Sequence, residues 1–193
     1  MSEHVMNSHE HLKIKICVSG AAETGHCAPD VLEKTKELGK QVAVQGAVLV
    51  TGATTGAPYW AAIGAKDVGG FVIGVSPAVS ELEHIKKYRL PVDYHDIIIY
   101  TGFGYSGRNL LLTRSADAVL ITCGRIGTLN EFTISFEDNK IIGVLTGTGG
   151  IADEVEDLLK RSHRGMGKVM FDPDPRRLVE RVIEAVRREK VEE

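Results

Sequence analysis

Short apolar runs recur along the chain and alternate with longer segments of mixed polarity. Runs of this kind are typical of strands that are covered on both faces, as in a parallel sheet. They occupy residues 14–18, 47–50, 71–75, 96–100, 118–121, 141–145 and 169–171. The pattern therefore predicts about seven strands.

The segments between these runs carry apolar residues at helical spacing, as at Val31, Leu38 and Val42. Asp174-Pro175 is a plausible cap and first-turn pair, because an acidic side chain accepts from free N–H groups and proline needs no partner there. Helices are predicted over about 29–45, 59–68 and 107–116. Two more are predicted, one directly after the glycine-rich turn at 124–128 and one from 174 onward.

Strands that alternate with helices predict an α/β fold. We expect a Rossmann-like, doubly wound and mostly parallel sheet of about seven strands, with helices on both faces. Residues 1–12 are polar and rich in histidine, which predicts a flexible tail. A chain of 193 residues fits one domain, so residues 13–193 are predicted to form a single Rossmann-like nucleotide-binding domain.

Several predicted strands end in Gly, Ser or Thr. In a doubly wound sheet these ends lie on one edge, where ligands bind. The loops expected to line one crevice are 19–25, 51–57, 101–108, 123–128 and 146–150.

Net charge, apolar stretches and cysteine content argue against several classes of function. The formal net charge is -3, which argues against a dedicated binder of nucleic-acid duplexes. No apolar stretch reaches the length of a membrane span. The three cysteines match no zinc or CxxC spacing, and their odd number argues against a disulfide framework. A cytoplasmic protein in a reducing compartment, without membrane or nucleic-acid partners, is the simplest expectation.

The segment Gly124–Glu131 carries the clearest chemical signal. It follows an apolar run and leads into a predicted helix, so it forms a glycine-rich turn at a helix N-terminus. Free N–H groups and the positive end of the helix dipole favour an anion there. Gly124 and Gly127 let the backbone approach a ligand closely.

Glu131 and the arginines each have two interpretations. The spacing Thr128-x-x-Glu131 is that of a capping box, but the same carboxylate lies within reach of a ligand on the turn. Arg108 and Arg125 are either solvated surface groups or contacts to a phosphate or carboxylate.

Three further patterns are weak. Residues 102–107 match G-x-G-x-x-G, but no acidic residue ends the next strand to hold a ribose. Residues 52–58 lack the Lys-Ser/Thr of a P-loop. His4, His9 and His11 have no acidic or cysteine partners at ligand spacing, so no metal site and no cofactor are predicted.

Gly124–Glu131 resembles the P-G-G-x-G-T-x-x-E signature of the LOG proteins, once called lysine decarboxylase-like. Gly107–Asn109 and Arg114–Ala118 resemble the arginine-bearing helix and strand that precede it, over a resemblance that spans about residues 13–187. The chain is most similar to the branch that includes molybdenum-cofactor carrier proteins. The resemblance implies a small-molecule nucleotide ligand, and a homodimer or larger homo-oligomer.

In active LOG enzymes, water cleaves the N-glycosidic bond of a nucleoside 5′-monophosphate. The resemblance implies Glu131 as the carboxylate that stabilises the oxocarbenium ion or activates water, and Arg108 as the group that anchors or polarises the nucleotide. The residues assigned to the phosphate or nucleotide are Gly20, Ala21, Gly52, Gly124, Arg125, Gly127 and Thr128.

The chain departs from the signature at three positions: Cys123 replaces the proline, Arg125 replaces the second glycine, and Asn109 replaces a common lysine. Two function classes therefore stay open. One is a nucleotide phosphoribohydrolase, favoured by Arg108 and Glu131. The other is a protein that carries or senses a nucleotide-like or pterin ligand without turnover, favoured by loss of the Gly-Gly pair.

Overall fold

A computed structural model describes residues 12–192 of the chain. Residues 1–11, which hold most of the predicted tail and its three histidines, lie outside the described residues. The described strands are β1 (Lys15–Gly20), β2 (Val48–Thr51), β3 (Val72–Ser76), β4 (Ile97–Tyr100), β5 (Ala118–Thr122), β6 (Ile141–Leu145) and β7 (Val169–Asp172). The described helices are α1 (Val31–Val44), α2 (Ala57–Lys66), α3 (Glu81–Lys86), α4 (Gly104–Ser115), α5 (Ile126–Glu137), α6 (Ile151–Ser162) and α7 (Pro175–Glu192).

All seven strands form one parallel sheet in the order β4-β3-β2-β1-β5-β6-β7. The predicted Rossmann-like fold is confirmed. Strand order reverses at β1, which lies between β2 and β5. The chain leaves the two strands of the β1–β5 pair toward opposite sides, so a crevice opens between the loops that follow them.

Two hydrophobic layers cover the sheet. One layer packs α1, α2 and α7 through side chains such as Leu38, Ala61 and Leu178. The other packs α4, α5 and α6 through Leu112, Phe132 and Leu159. Alternate strand residues face each layer, as Ile16 and Cys17 of β1 do, which explains why the strands are apolar throughout.

Helices α1 and α2 approach each other very closely, and glycine makes this possible. A Cβ at Gly39 would lie 2.0 Å from the Ala61 carbonyl oxygen, and one at Gly64 would lie 1.8 Å from that of Lys36. The small residues of the second predicted helix therefore serve backbone packing.

Sequence patterns missed α3 and α6 and placed the start of α4 too late, at Gly107 instead of Gly104. In α6 the signal was present, because Ala152, Val155 and Leu159 are buried at helical spacing. Helix α3 has six residues, too few for a periodic pattern to emerge. Among residues 12–192, no helix is both long enough and apolar enough to cross a bilayer.

Candidate functional site

A cavity of about 450 Å³ opens at the carboxyl edge of the sheet, beside the β1–β5 pair. Three segments with sequence-predicted site residues meet there: the loop after β1, helix α4 and the first turn and a half of α5. The lining residues are Gly20, Ala21, Ala22, Glu23, Thr54, Thr55, Tyr88, Arg89, Leu90, Tyr105, Arg108, Asn109, Arg125, Gly127, Thr128 and Glu131.

The turn that leads into α5 presents backbone donors to this cavity. Gly124 has φ +96°, which glycine adopts without strain, and the first helical hydrogen bond runs from Leu129 N to Arg125 O at 2.9 Å. Among the described residues, the N–H groups of Gly127 and Thr128 reach no backbone acceptor. This wall of the cavity therefore offers unpaired backbone donors at the positive end of a helix dipole, an arrangement that favours an anion.

Arg108 and Glu131, which also line the cavity, form a buried ion pair. Arg108 Nη1 lies 3.6 Å from Glu131 Oε1, and both side chains are less than a tenth exposed. Ser19 donates its hydroxyl to Glu131 Oε2. The amide of Asn109 is satisfied when its nitrogen faces the carboxylate, where it donates to Glu131 Oε1 at 2.8 Å.

The surroundings of Glu131 shift its pKa in two opposing directions. Loss of water raises the pKa of Glu131, while Arg108 and the Ser19 hydroxyl act against the rise by favouring the ionised form. Arg108 Nε is buried and reaches no acceptor among residues 12–192. Arg108 itself lines the cavity, so a ligand oxygen there meets a guanidinium that is not fully satisfied within the protein.

The structure does not support the capping-box interpretation of Glu131. Helix α5 begins at Ile126, so its N-cap is Arg125, and Thr128 already lies within the first turn. The Glu131 carboxylate bonds Ser19 and not the backbone at the helix start. The Thr128-x-x-Glu131 spacing therefore matches the capping-box pattern without forming the box, because Thr128 is not the N-cap.

Two predicted ligand residues act behind the cavity. A Cβ at Gly52 would lie 1.9 Å from Arg108 Nη1, so this glycine makes room for the guanidinium. A Cβ at Gly124 would lie 2.5 Å from the Thr128 side chain, so Gly124 shapes the turn. Gly20, which lies on the cavity wall, also has a packing role, because its Cβ would meet Thr122 O at 2.8 Å.

Arg125, the large side chain in the turn, reaches across the mouth of the cavity. Its Nη1 lies 3.0 Å from Glu23 Oε2, and both side chains are exposed. Exposed pairs contribute about 0–1 kcal/mol. Arg125 is therefore held loosely and stays available to a second anionic partner.

Several lining residues carried no signal in the sequence. Tyr88, Arg89 and Leu90 come from the connection between α3 and β4, and Tyr88 packs edge to face on Tyr105 with ring centroids 5.5 Å apart. Only the helix α3 that was missed brings this connection over the cavity. By contrast, the predicted loop 146–150 lies behind the turn, where Ile151 N donates to Gly124 O at 3.1 Å.

The odd cysteine count led to a wrong expectation. Cys27 and Cys123 are bonded to each other, 96 residues apart in sequence, and Cys17 remains free and buried in β1. His26 Nε2 lies 3.6 Å from the Cys123 sulfur. Sequence spacing could not reveal the pair, because only the juxtaposition of the β1 and β5 loops brings the sulfurs together.

Comparison with known proteins identifies the family of this chain. A model of the SLOG cluster4 family matches residues 13–179, which confirms the resemblance to LOG proteins. An uncharacterized protein of Archaeoglobus fulgidus is 30% identical over 132 residues, which make up 68% of this chain and 82% of that protein.

Solved structures of similar proteins share the whole fold. The molybdenum cofactor binding protein of Rippkaea orientalis is 28% identical, with a TM-score of 0.74 over 91% of this chain and 98% of that one. The molybdenum cofactor carrier protein of Chlamydomonas reinhardtii is 30% identical, with a TM-score of 0.68 over 92% and 98% of the two chains.

Proposed function

This chain belongs to the SLOG cluster4 family, and we propose that it binds a small phosphate-bearing ligand of the nucleotide type in the cavity beside β1 and β5. The phosphate lies on the first turn of α5, against the N–H groups of Gly127 and Thr128. The observation that carries the proposal is the pairing, in one cavity, of these donors with the buried, unsatisfied Nε of Arg108.

The charge and size of the cavity support a ligand of this class. Arg108 and Arg125 both line it, and guanidinium groups bind phosphate and carboxylate through paired N–H donors. A volume of about 450 Å³ lies within the range of pockets for cofactor-sized ligands, about 300–1,000 Å³. The similar proteins that bind the molybdenum cofactor make a phosphorylated pterin a candidate alongside nucleoside monophosphates.

Binding without turnover is the function that the geometry favours. The Glu131 carboxylate already accepts from Ser19 and Asn109 and pairs with Arg108, so it has little freedom to engage a reacting sugar. A carrier or sensor needs only the cavity, and its ligand can stay intact.

Hydrolysis of the N-glycosidic bond is the second candidate. It is favoured by a carboxylic acid of raised pKa that lies beside an arginine on the cavity wall. Such a group can hold a proton or activate water next to the positive charge that develops on a ribose.

One experiment separates the two. The purified protein is analysed by mass spectrometry for a co-purified ligand and is then titrated with AMP, other nucleoside 5′-monophosphates and inorganic phosphate by calorimetry. Chromatography of the same mixtures measures free base. Binding with intact nucleotide supports the carrier or sensor, free base supports the hydrolase, and absence of any binding contradicts the proposal.

We propose further that the protein assembles as a homodimer or larger homo-oligomer. Helix α4 and the residue before it leave Phe103, Leu110 and Leu111 exposed on one side of the molecule. Apolar residues grouped in this way are typical of a subunit contact, and most oligomers close by two-fold symmetry. Light scattering is expected to give at least twice the 21.0 kDa chain mass, and a monomer mass contradicts the proposal.

A further inference from the structure

Two links join the same two walls of the cavity. The first is the disulfide between Cys27, near the end of the β1–α1 loop (residues 21–30), and Cys123, the residue after β5. The second is the ion pair between Glu23 and Arg125, with 3.0 Å between Nη1 and Oε2. One link is covalent and the other is weak and exposed, so the covalent link dominates the position of the loop.

Apart from the disulfide, the β1–α1 loop is anchored mainly at its ends. Ala57 N donates to Ala21 O at 2.9 Å, and Ala28 N donates to Thr148 O at 2.9 Å. Between these points, Thr55 Oγ1 donates to Ala22 O at 3.2 Å, and the contact of His26 Nε2 with Gly124 O is long, at 3.4 Å. The stretch from Glu23 to His26, which brings Glu23 to the cavity wall, therefore depends chiefly on the bond at Cys27.

The other partner of the disulfide is held without it. Cys123 N donates to Thr148 Oγ1 at 2.9 Å, and Cys123 O accepts from Ala152 N at 2.8 Å. Breaking the disulfide therefore leaves the α5 turn in place and loosens the middle of the β1–α1 loop, from Glu23 to Cys27.

We propose that Cys27 and Cys123 are a reversible thiol–disulfide site that controls how firmly the β1–α1 loop closes on the ligand. This inference rests on the proposed function, because its consequence is a change in ligand affinity. The disulfide form holds the loop against the cavity and binds tightly. The dithiol form releases the loop and binds more weakly.

The burial of the two sulfurs assigns their roles. Cys27 is half-buried and reachable, whereas Cys123 is fully buried. A low-molecular-weight disulfide is the oxidant: the Cys27 thiolate attacks one of its sulfurs and expels the first small thiolate. The Cys123 thiolate then attacks the Cys27 sulfur and expels the second. Two electrons pass to the small disulfide, and the two cysteine protons end on the two thiols released.

His26 is positioned to assist this exchange. Its Nε2 lies 3.9 Å from the Cys27 sulfur and 3.6 Å from the Cys123 sulfur, close enough to take up a thiol proton through a small shift of the ring. Cys17 takes no part, because it is fully buried, and burial raises the pKa of its thiol well above the usual range.

The test compares the wild-type protein in buffers of reduced and of oxidised glutathione. Alkylation after denaturation, read by mass, counts thiols: three in the dithiol form and one in the disulfide form are expected from the three cysteines. Calorimetry with AMP and with inorganic phosphate measures binding in both states. We expect reduction to weaken binding about fivefold or more, the usual lower range of coupling between two sites.

Two variants complete the design. Cys27→Ser is expected to bind as weakly in both buffers as the reduced wild type does. Cys17→Ala, the matched control, is expected to keep the full redox dependence. Should either variant fail to fold, the wild-type comparison decides by itself, since it needs no substitution.

The outcomes separate this inference from the proposed function. If three thiols are counted in reduced and one in oxidised glutathione but the affinity is equal, the redox control is overturned and the proposed function stands. A tightly bound zinc ion that keeps both thiols reduced in oxidised glutathione also overturns it, since His26, Cys27 and Cys123 offer ligand atoms within 4.8 Å of one another. Absence of binding in both buffers removes the proposed function and the inference with it.

Discussion

Two turns of this protein look alike in sequence and differ in chemistry. Residues 102–107 and 124–128 each follow a strand, contain two or more glycines, at least one of them with positive φ, and lead into a helix. Only the second turn has Gly127 and Thr128 on the cavity wall, with N–H groups that reach no backbone acceptor among residues 12–192. In the first turn, the N–H groups of both positive-φ glycines donate to the protein itself.

The turn before α4 is closed by the neighbouring loop. Thr101 N donates to Ser76 O at 3.1 Å, Gly102 N to Ala78 O at 2.9 Å, and Gly104 N to Pro77 O at 3.1 Å. The glycines of this literal G-x-G-x-x-G match therefore serve a loop-to-loop junction. A dinucleotide motif uses the N–H groups of its glycine-rich turn to bind phosphate, and here those of Gly102 and Gly104 already have partners.

Two other helix starts at this edge are occupied by acidic side chains. Asp153 accepts from Gly147 N at 2.7 Å and Gly149 N at 2.8 Å, before α6. Asp174 accepts from Arg177 N at 2.8 Å in the first turn of α7. The first turn of α5 has no acidic residue. An anion site needs backbone donors of this kind, which are left without an internal acceptor.

The largest effect is expected from Gly127→Asp. The position is open, since a Cβ there meets no atom within 4 Å, so the fold should tolerate the change. A carboxylate beside the bound anion repels it by several kcal/mol, which corresponds to a loss of affinity of about a hundredfold or more. Calorimetry with AMP measures it.

Two controls accompany that variant. Gly127→Ala adds bulk without charge and is expected to bind within a few-fold of wild type. Ser106→Asp adds the same charge to the first turn of α4, where Ser106 is exposed, and is expected to leave binding unchanged. Equal weakening by both aspartates would show that net charge matters and the α5 turn does not.

Glu131→Gln tests the second candidate function. Where the wild type releases base, this change is expected to lower the rate about a hundredfold, the usual effect of losing one electrostatic group at a reacting centre. Gln keeps an acceptor for Ser19 but leaves the buried Arg108 without its anion, so unfolding free energy should fall by about 1–3 kcal/mol. Unchanged base release by a folded variant would exclude Glu131 as catalyst.

Gly52→Ala tests whether the position of Arg108 sets affinity. The new methyl group would lie 1.9 Å from Nη1 and must displace the guanidinium. We expect about tenfold weaker binding and about 1–3 kcal/mol lower stability, the range for overpacking a buried site. Gly25→Ala, at an open position in the β1–α1 loop, is the control. Full affinity in Gly52→Ala would mean that Arg108 makes no ligand contact.

The smallest effect concerns the junction of β7 and α7. Hydrogen bonds from Arg177 lower the pKa of Asp172 from 3.8 to about 2. A lowered pKa means that the folded state favours the charged form, so the stabilisation is present above about pH 4 and is lost as the pH falls toward 2. Asp172→Asn should reduce unfolding free energy at pH 7 by about 1–2 kcal/mol, since the arginines are exposed.

Urea denaturation at several pH values measures this difference, with Asp157→Asn as the exposed control. The gap between wild type and Asp172→Asn should shrink as the pH approaches 2. A gap that is independent of pH would indicate that the two arginines do not stabilise the folded carboxylate.

Prediction from sequence was strongest where the information is local. The continuous apolar runs located every described strand within two residues, because burial on both faces leaves a direct mark on composition. The glycines of the α5 turn and the neighbouring Glu131 were also found locally. Arg108 required the family resemblance, since an arginine near a helix start has no distinctive pattern of its own.

Contacts between segments that are far apart in the sequence could not be predicted from local patterns. The interpretation of Thr128 and Glu131 as a capping box failed because Ser19, 112 residues away, binds the carboxylate. The cysteine count misled because the partner of Cys27 follows β5, 96 residues away in the sequence. The role of Gly52 was invisible because it depends on the path of the Arg108 side chain.

The sequence by itself determined the parallel α/β architecture and the presence of a glycine-rich helix start, since both follow from periodicity and backbone freedom near one position. Tertiary structure decided which backbone donors receive internal acceptors, which arginine is buried beside Glu131, and which cysteines meet. The physical reason is that strand order brings the loops after β1 and β5 together, and whether a donor, a charge or a thiol is available depends on the partners that arrive from elsewhere in the chain.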